Sequence, residues 1–124
     1  MNLFLSNDYN EIMRRLGKGL PRPYGPHLLL KLYTREETTQ GGVVLPDSVR
    51  EEAVYQGMTG MVLAIGPDAY QGEEFKHWQK PEVGTWVLFK PNSGVRFNYQ
   101  DVPLRFVFDD AVLAPLQNPA TITR

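Results

Sequence analysis

The sequence predicts an all-β protein, a small antiparallel β-barrel, and three observations lead to this fold class. Short apolar stretches with strand-like alternation recur at nearly even spacing from about residue 24 onward. Eleven glycines and ten prolines are scattered along the chain, which favours short elements and tight turns over long helices. The 124 residues suffice for one domain with its own core.

Six strands are predicted, and the first shows the pattern most clearly. Leu28, Leu30 and Leu32 alternate with other residues and therefore share one face of that strand. Pro115 places the last strand at an edge of the sheet, because proline cannot donate a hydrogen bond to a central ladder. The predicted strands are 27–33, 60–65, 85–90, 95–99, 102–108 and 112–116.

Residues 1–23 form an N-terminal extension that is partly helical. Asp8 and Glu11 have the spacing of a capping box, and Gly17 follows Leu16 as a natural stop, so a short helix is predicted between them. Two interpretations stay open at this point. The extension is a partly ordered tail, or its helix docks on a neighbouring subunit or partner.

The barrel is assigned to residues 24–116 and a C-terminal tail to 117–124. Two connections in the barrel, 34–57 and 68–82, are longer than ordinary barrel turns, and such loops tend to be functional or disordered. The second mixes aromatic and charged residues, which predicts a packed hairpin or flap. Its aromatic residues are Tyr70, Phe75 and Trp78.

Composition excludes several classes of protein. A net charge of −1 gives no electrostatic reason to bind nucleic acid or an anionic membrane. No apolar run approaches the length of a transmembrane helix, and the N-terminus lacks the pattern of a signal peptide. The chain has no cysteine, so disulfides and thiol chemistry are excluded. A cytoplasmic protein fits these observations.

No catalytic or metal-binding constellation stands out. The two histidines, His27 and His77, are far apart in the sequence and have no cysteine to complete a zinc site. The neighbouring carboxylates Asp109 and Asp110 lie in a predicted turn, where capping is the ordinary role. No glycine-rich phosphate loop is present. We therefore predict that the protein is not an enzyme and has no cofactor or metal of its own.

The first long loop holds the most informative segment, residues 40–48, which reads Gln-Gly-Gly-Val-Val-Leu-Pro-Asp-Ser. A buried strand is normally longer and does not end in proline, and the flanking sequence is charged. An apolar anchor for the groove of another protein fits this pattern, and a strand folded onto the protein's own core is the alternative. The candidate anchor residues are Gly41, Gly42, Val43, Val44, Leu45 and Pro46.

Four motifs in order, spanning roughly residues 24–116, resemble the co-chaperonin family of GroES-like lids. The segment 41–48 is similar to that family's mobile loop. Residues 60–67 match its Gly-x-Val-x-Ala-x-Gly-Pro strand, and 83–89 match a Val-Gly-x-x-Val-x-Phe strand. An acidic turn followed by Val-Leu-Ala, at 109–114, matches the family's last strand.

The resemblance implies a GroES-like β-barrel that assembles into a seven-membered ring and caps a chaperonin double ring through its mobile loops. The implied partners are therefore a GroEL-like chaperonin, further copies of this chain and an unfolded client protein. ATP would be bound by the chaperonin and not by this chain.

A ring also follows from the expectation that the first and last strands are both edges of the sheet. Pairing the first strand of one subunit with the last strand of its neighbour would leave no open edge. The candidate interface residues are Leu28, Leu30, Leu32, Val112, Leu113 and Ala114.

The N-terminal extension and the loop that carries Trp78 are more similar to the divergent lids encoded by bacteriophages. Some of those lids help to fold capsid protein, which implies host cytoplasm as the location and a phage capsid protein as client. The alternative function is structural, with the barrel serving as a capsid or tail component of a phage particle.

Overall fold

The computed structural model describes residues 8–34, 55–100 and 102–119. One helix precedes six strands, and two short 3₁₀ turns, Glu73–Phe75 and Asp109–Ala111, lie between strands. The elements are α1 (Tyr9–Leu16), β1 (His27–Thr34), β2 (Tyr55–Ile65), β3 (Trp86–Phe89), β4 (Val95–Tyr99), β5 (Val102–Phe108) and β6 (Val112–Leu116).

The six strands form one sheet in the order β4-β5-β1-β2-β3-β6, and every pairing is antiparallel. The predicted fold class is thereby confirmed, since a six-stranded antiparallel sheet with one short helix is consistent with a small GroES-like barrel. The predicted strands also agree with the observed ones to within one residue at each end, except that β2 begins at Tyr55 rather than at residue 60.

The first strand is central, and the expectation that it is an edge was wrong. β1 pairs with β2 on one side and with β5 on the other. Leu28, Leu30 and Leu32 are at most 1% exposed and pack in the subunit's own core, so they have no surface to offer a neighbour. Their alternation was interpreted correctly as one shared face, but that face points inward.

This inner core gathers apolar side chains from β1, β2, β3, β5 and β6. Gly60 permits the close packing, because a Cβ there would lie only 3.2 Å from Leu30 Cβ and 3.3 Å from a ring carbon of Phe89. Ala69, Tyr70 and Phe75 of the second long loop close one side of the same cluster. The loop is therefore part of the hydrophobic core.

The predicted helix forms, but it packs on the subunit's own sheet. Asp8 is the N-cap, and its carboxylate accepts a hydrogen bond from the Asn10 N–H at 3.1 Å. Ile12 and Leu16 are 0% and 2% exposed, and they join a second core on the opposite face of the sheet. This packing corrects the interpretation of residues 8–16 as a partly ordered tail, and a contact of the helix with a neighbour stays a prediction.

No helix in residues 8–34, 55–100 or 102–119 has the length and apolar character needed to cross a membrane.

Candidate functional site

The long loop that holds the candidate anchor starts and finishes at adjacent points on the sheet. β1 ends at Thr34, β2 begins at Tyr55, and the Cα atoms of these two residues are register partners. The candidate anchor lies outside the described residues, so its role stays a prediction. It comprises Gly41, Gly42, Val43, Val44, Leu45 and Pro46.

An aromatic pair links β1 to β3 near the end of β1. The Tyr33 ring of β1 stands edge-on to the Trp86 ring of β3, with centroids 5.4 Å apart. Such pairs stabilise by about 0.5–1.5 kcal/mol beyond their buried area. This contact therefore ties β1 to β3 across the intervening β2, next to Thr34.

Lys31 is an unexpected polar group in β1. It is 0% exposed, and its Nζ donates to the Leu32 carbonyl oxygen at 3.0 Å. Burial penalises the charged form and lowers the pKa of Lys31 from 10.5 to about 7. A lysine in an alternating strand is ordinarily exposed, so the sequence contained no signal for this buried amine.

A groove of about 550 Å³ runs beside β6, the edge strand. Residues 78–82 of the second long loop form one wall, and β3 and β6 form the other. Two apolar side chains there are partly exposed, Leu113 at 53% and Trp78 at 44%. The groove therefore offers both an apolar surface and a strand edge.

The edge position of β6 confirms what Pro115 predicted, and the three predicted interface residues of this strand differ in exposure. Leu113 is exposed, Ala114 is half-buried and Val112 is 7% exposed and part of the core. Among the described strands, β6 pairs only with β3. Leu113 is the member of the predicted set whose side chain is best placed to meet a neighbour.

Tyr70 and Asp109 fasten the second long loop to the turn before β6. The Tyr70 N–H donates to Asp109 Oδ2 at 3.0 Å, and the Tyr70 hydroxyl donates to the Asp109 carbonyl oxygen at 2.9 Å. Asp109 is 7% exposed, so its carboxylate serves as an internal acceptor. The acidic pair predicted to cap a turn thus includes one residue that ties two distant segments together.

The rest of this loop is ordered by edge-on contacts between aromatic rings rather than by a hairpin. The Phe75 ring packs edge-on against Tyr70 and Trp78, with centroid distances of 5.2 Å and 4.8 Å. Residues 68–82 contain a 3₁₀ turn and no strand, so the hairpin alternative was wrong and a packed flap is the better description. The flap holds Trp78 at the groove.

The opposite edge of the sheet carries buried and exposed arginines. Arg105 of β5 is 2% exposed, its guanidinium lies 5.2 Å from the centroid of the Phe89 ring, and its Nη1 donates to the Ser93 carbonyl oxygen at 3.3 Å. Arg96 of β4 is its register partner. Burial and the nearby charge of Arg96 lower the pKa of Arg105.

The histidine and carboxylate groups have structural surroundings. His27 Nδ1 lies 2.8 Å from the Tyr24 carbonyl oxygen, and its ring packs against Phe108 at a centroid distance of 4.5 Å. Within the described ranges, no group of three or more histidine, aspartate or glutamate side chains is arranged to hold a metal ion. Among the described surfaces, the groove beside β6 combines partly exposed apolar side chains with a strand edge.

Comparison with known proteins identifies the family. Residues 21–116 match the family described as the chaperonin 10 Kd subunit. The chain belongs to this co-chaperonin family. The GroES-like resemblance drawn from the four motifs is therefore confirmed, and the family is not one of catalytic enzymes.

Curated relatives of this co-chaperonin are similar over nearly their whole length. Co-chaperonin GroES of Solidesulfovibrio magneticus is 33% identical over 97 residues, which cover 77% of this chain and 96% of the relative. Co-chaperonin GroES of Clostridium kluyveri is 31% identical to this chain, and the alignment covers 97% of that relative. The same-named protein of Clostridium botulinum is 30% identical and 96% covered. About a quarter of this co-chaperonin therefore has no counterpart in those alignments.

The structure explains why some motif residues of this co-chaperonin stand where they do. The Gly66 N–H donates to the His27 carbonyl oxygen at 2.8 Å, and a Cβ at Gly66 would collide with the backbone oxygens of Gly25 and His27. Gly66 is therefore required by a close crossing of two backbone segments. The groove and the contact between Tyr70 and Asp109 were missed by sequence reasoning, because both join residues far apart in the chain.

Proposed function

We propose that this co-chaperonin caps a chaperonin ring by inserting the apolar side chains of Val43, Val44 and Leu45 into grooves of the chaperonin. The family match over the whole barrel is the observation that carries the proposal. The position of the segment supports it, because residues 35–54 connect the register partners Thr34 and Tyr55 at one point of the sheet.

Binding by such a segment is expected to be weak for one copy and strong for several. Fully burying one Val or Leu side chain contributes about 1.5–3 kcal/mol. Ordering a glycine-containing loop consumes much of that gain, since Gly41 and Gly42 lose more backbone freedom than other residues. Several loops held together by an oligomer bind cooperatively through their effective concentration. Weak single contacts also suit a lid that must be released.

The oligomer in this proposal is a ring, with seven subunits as the family resemblance implies. The free edge of β6 and the groove beside Leu113 and Trp78 support a contact between neighbouring subunits there. A head-to-tail contact of this kind closes into a ring when its rotation permits.

The chemical work in this proposal belongs to the chaperonin. The co-chaperonin has no cofactor, and ATP binds to the partner, whose nucleotide state changes the grooves that receive the anchors. The client is an unfolded protein in the cytoplasm, and a phage capsid protein is the specific client that the N-terminal extension suggested.

Replacing Leu45 with aspartate tests the proposal. Light scattering after size exclusion would report the mass of the variant alone and with a bacterial chaperonin plus ADP. We expect an unchanged oligomer that no longer joins the chaperonin, whereas Leu45→Ile should retain binding. Equal binding by Leu45→Asp would overturn the anchor assignment, and a wild-type oligomer that ignores the chaperonin would favour a structural role in a particle.

A further inference from the structure

The helix α1 crosses the sheet from the side of β2 and β3 towards the β4 edge. At its start, the Tyr9 ring lies 3.5 Å from the position that a Cβ on Gly84 would occupy, just before β3. Beyond its end, Gly19 lies directly against the Tyr99 hydroxyl, at the end of β4. The C-terminal end of α1 therefore lies at the β4 edge of the sheet, away from β6.

That end of α1 is cationic. Ile12 and Leu16 face the sheet, whereas Arg14, Arg15 and Lys18 are exposed. Within the part of the chain that the structure describes, none of these three cations is paired with a carboxylate. Three positive charges thus project from the β4 side of the subunit without a described partner.

The β6 edge carries carboxylates together with two lysines, Lys80 in the groove lining and Lys76 on the flap. Glu82 lines the groove beside β6, and Glu74 is exposed on the flap that forms the groove wall. Glu73 on the same flap contacts Lys76 at 3.7 Å, with 91% of the Glu73 side chain exposed. Residues 73–82 hold three glutamates and two lysines and so carry an excess of one negative charge, opposite in sign to the C-terminal end of α1.

We propose that Arg14, Arg15 and Lys18 of one copy pair with Glu74 and Glu82 of the next copy, so that α1 acts as an electrostatic clamp between neighbouring subunits. This inference rests on the ring in the proposed function and adds a contact to it. Opposite charges at opposite edges favour a head-to-tail contact, in which each subunit uses both surfaces once.

The second copy is the occupant favoured by the rest of the surface. Leu113 and Trp78 supply an apolar centre beside Glu82, and charged residues around such a centre are the usual arrangement of a protein interface. A net charge of −1 means that copies of this chain repel each other little. Because α1 precedes the family match at residue 21, the clamp is an addition to the barrel.

Charge reversal tests the clamp. An exposed ion pair changes an equilibrium by up to about fivefold, and reversing one charge adds repulsion. We expect Arg15→Glu to raise the concentration of half-dissociation about tenfold, measured by mass photometry across a dilution series. Lys90→Glu makes the same charge change at the far end of β3 and is the matched control, expected to stay within about twofold of wild type.

A compensating pair makes the test specific. The double variant Arg15→Glu with Glu82→Lys should recover much of the lost association, since the charges are exchanged across the contact. Equal dissociation of Arg15→Glu and wild type would overturn the proposal, and so would a wild-type protein that stays monomeric. Thermal unfolding of each variant checks that the exposed substitutions leave the subunit folded.

Cross-linking gives an independent result because the chain has no cysteine. An Arg15→Cys protein is mixed with a Glu82→Cys protein under mild oxidation, and disulfide-linked pairs are counted on a non-reducing gel. We expect more mixed pairs than from Arg15→Cys with Lys90→Cys, and equal yields would contradict the clamp. Chaperonin binding by the wild-type protein is measured in parallel. Absence of that complex would contradict the proposed function, whereas unchanged assembly of Arg15→Glu would contradict only the clamp.

Discussion

Tyr70 holds Asp109 at two points, through its backbone N–H to the carboxylate at 3.0 Å and through its hydroxyl to the carbonyl oxygen at 2.9 Å. Thirty-nine residues separate the two in the chain. Burial and the charges of Asp109 and Asp110 raise the pKa of Tyr70, which keeps its hydroxyl protonated as a donor. The pair fixes the flap against the turn that starts β6.

We expect Asp109→Ala to lower the free energy of unfolding by about 1–3 kcal/mol, because the buried Tyr70 N–H loses its acceptor. Tyr70→Phe should cost less, about 0.5–1.5 kcal/mol, since it removes one hydrogen bond and keeps the ring. Urea unfolding of each variant measures both values. Asp110→Ala is the control at the exposed neighbouring carboxylate, and a loss equal to that of Asp109→Ala would contradict this account.

Helix α1 is expected to stabilise the subunit itself. Ile12→Ala should lower the free energy of unfolding by about 2–5 kcal/mol, because removing most of a fully buried side chain leaves a cavity between α1 and the sheet. Asn10→Ala changes an exposed residue of the same helix and should have little effect. Chemical denaturation of both variants at equal protein concentration measures the two free energies of unfolding. Equal values for Ile12→Ala and Asn10→Ala would mean that the helix contributes no packing energy.

Lys31 should make stability depend on pH. The pKa of Lys31 is about 7 in the folded state, and the ordinary value of 10.5 applies in the unfolded state. Between pH 7 and pH 10.5 the unfolded state therefore binds more protons than the folded state. The free energy of unfolding therefore rises with pH across this window, by about 1.4 kcal/mol per pH unit at most. Below pH 7 the lysine is charged in both states and its full burial penalty remains.

Lys31→Met tests this expectation by placing an apolar side chain of similar length in the same position. The variant should be more stable than wild type at pH 6, and the difference should shrink as the pH approaches 9. Denaturation curves at pH 6, 7, 8 and 9 provide the comparison. Parallel pH profiles for the two proteins would show that another group is responsible.

Leu113 should contribute to subunit association and not to folding. Leu113→Lys places a charge on a 53% exposed apolar position beside the groove, so we expect weaker assembly with unchanged thermal stability of the subunit. Leu113→Met keeps an apolar side chain and should assemble normally. Sedimentation velocity over a range of concentrations separates these outcomes, and normal assembly of Leu113→Lys would place the interface elsewhere.

The sequence predicted the strands well because alternation and turn residues are local signals. It also predicted α1, since the cap at Asp8 and the stop at Gly17 are local as well. It did not predict that the helix packs on this sheet, because the surface that receives Ile12 and Leu16 is built from residues of several strands. Periodicity identifies an apolar face but does not say which surface covers it.

The same reason explains the error at β1. Alternating leucines indicate a face that needs burial, and they do not distinguish a strand at an edge from a strand between two neighbours. Only pairing with both β2 and β5 shows that Leu30 faces the interior. For the candidate site, the sequence supplied the anchor motif and the edge position of Pro115, whereas the groove depends on how the flap folds over β3 and β6.

The register pairing of Thr34 with Tyr55 also means that the segment of the proposed anchor is joined to the sheet at a single position. The twenty residues between them, 35–54, begin and end at a junction that the barrel maintains on its own. Doubling the length of a flexible loop closed at such a junction costs only about 0.6 kcal/mol. Lengthening or rewriting that stretch would therefore give the barrel a new binding specificity while its strand order stays the same, and an oligomer would then display the grafted peptide in several copies.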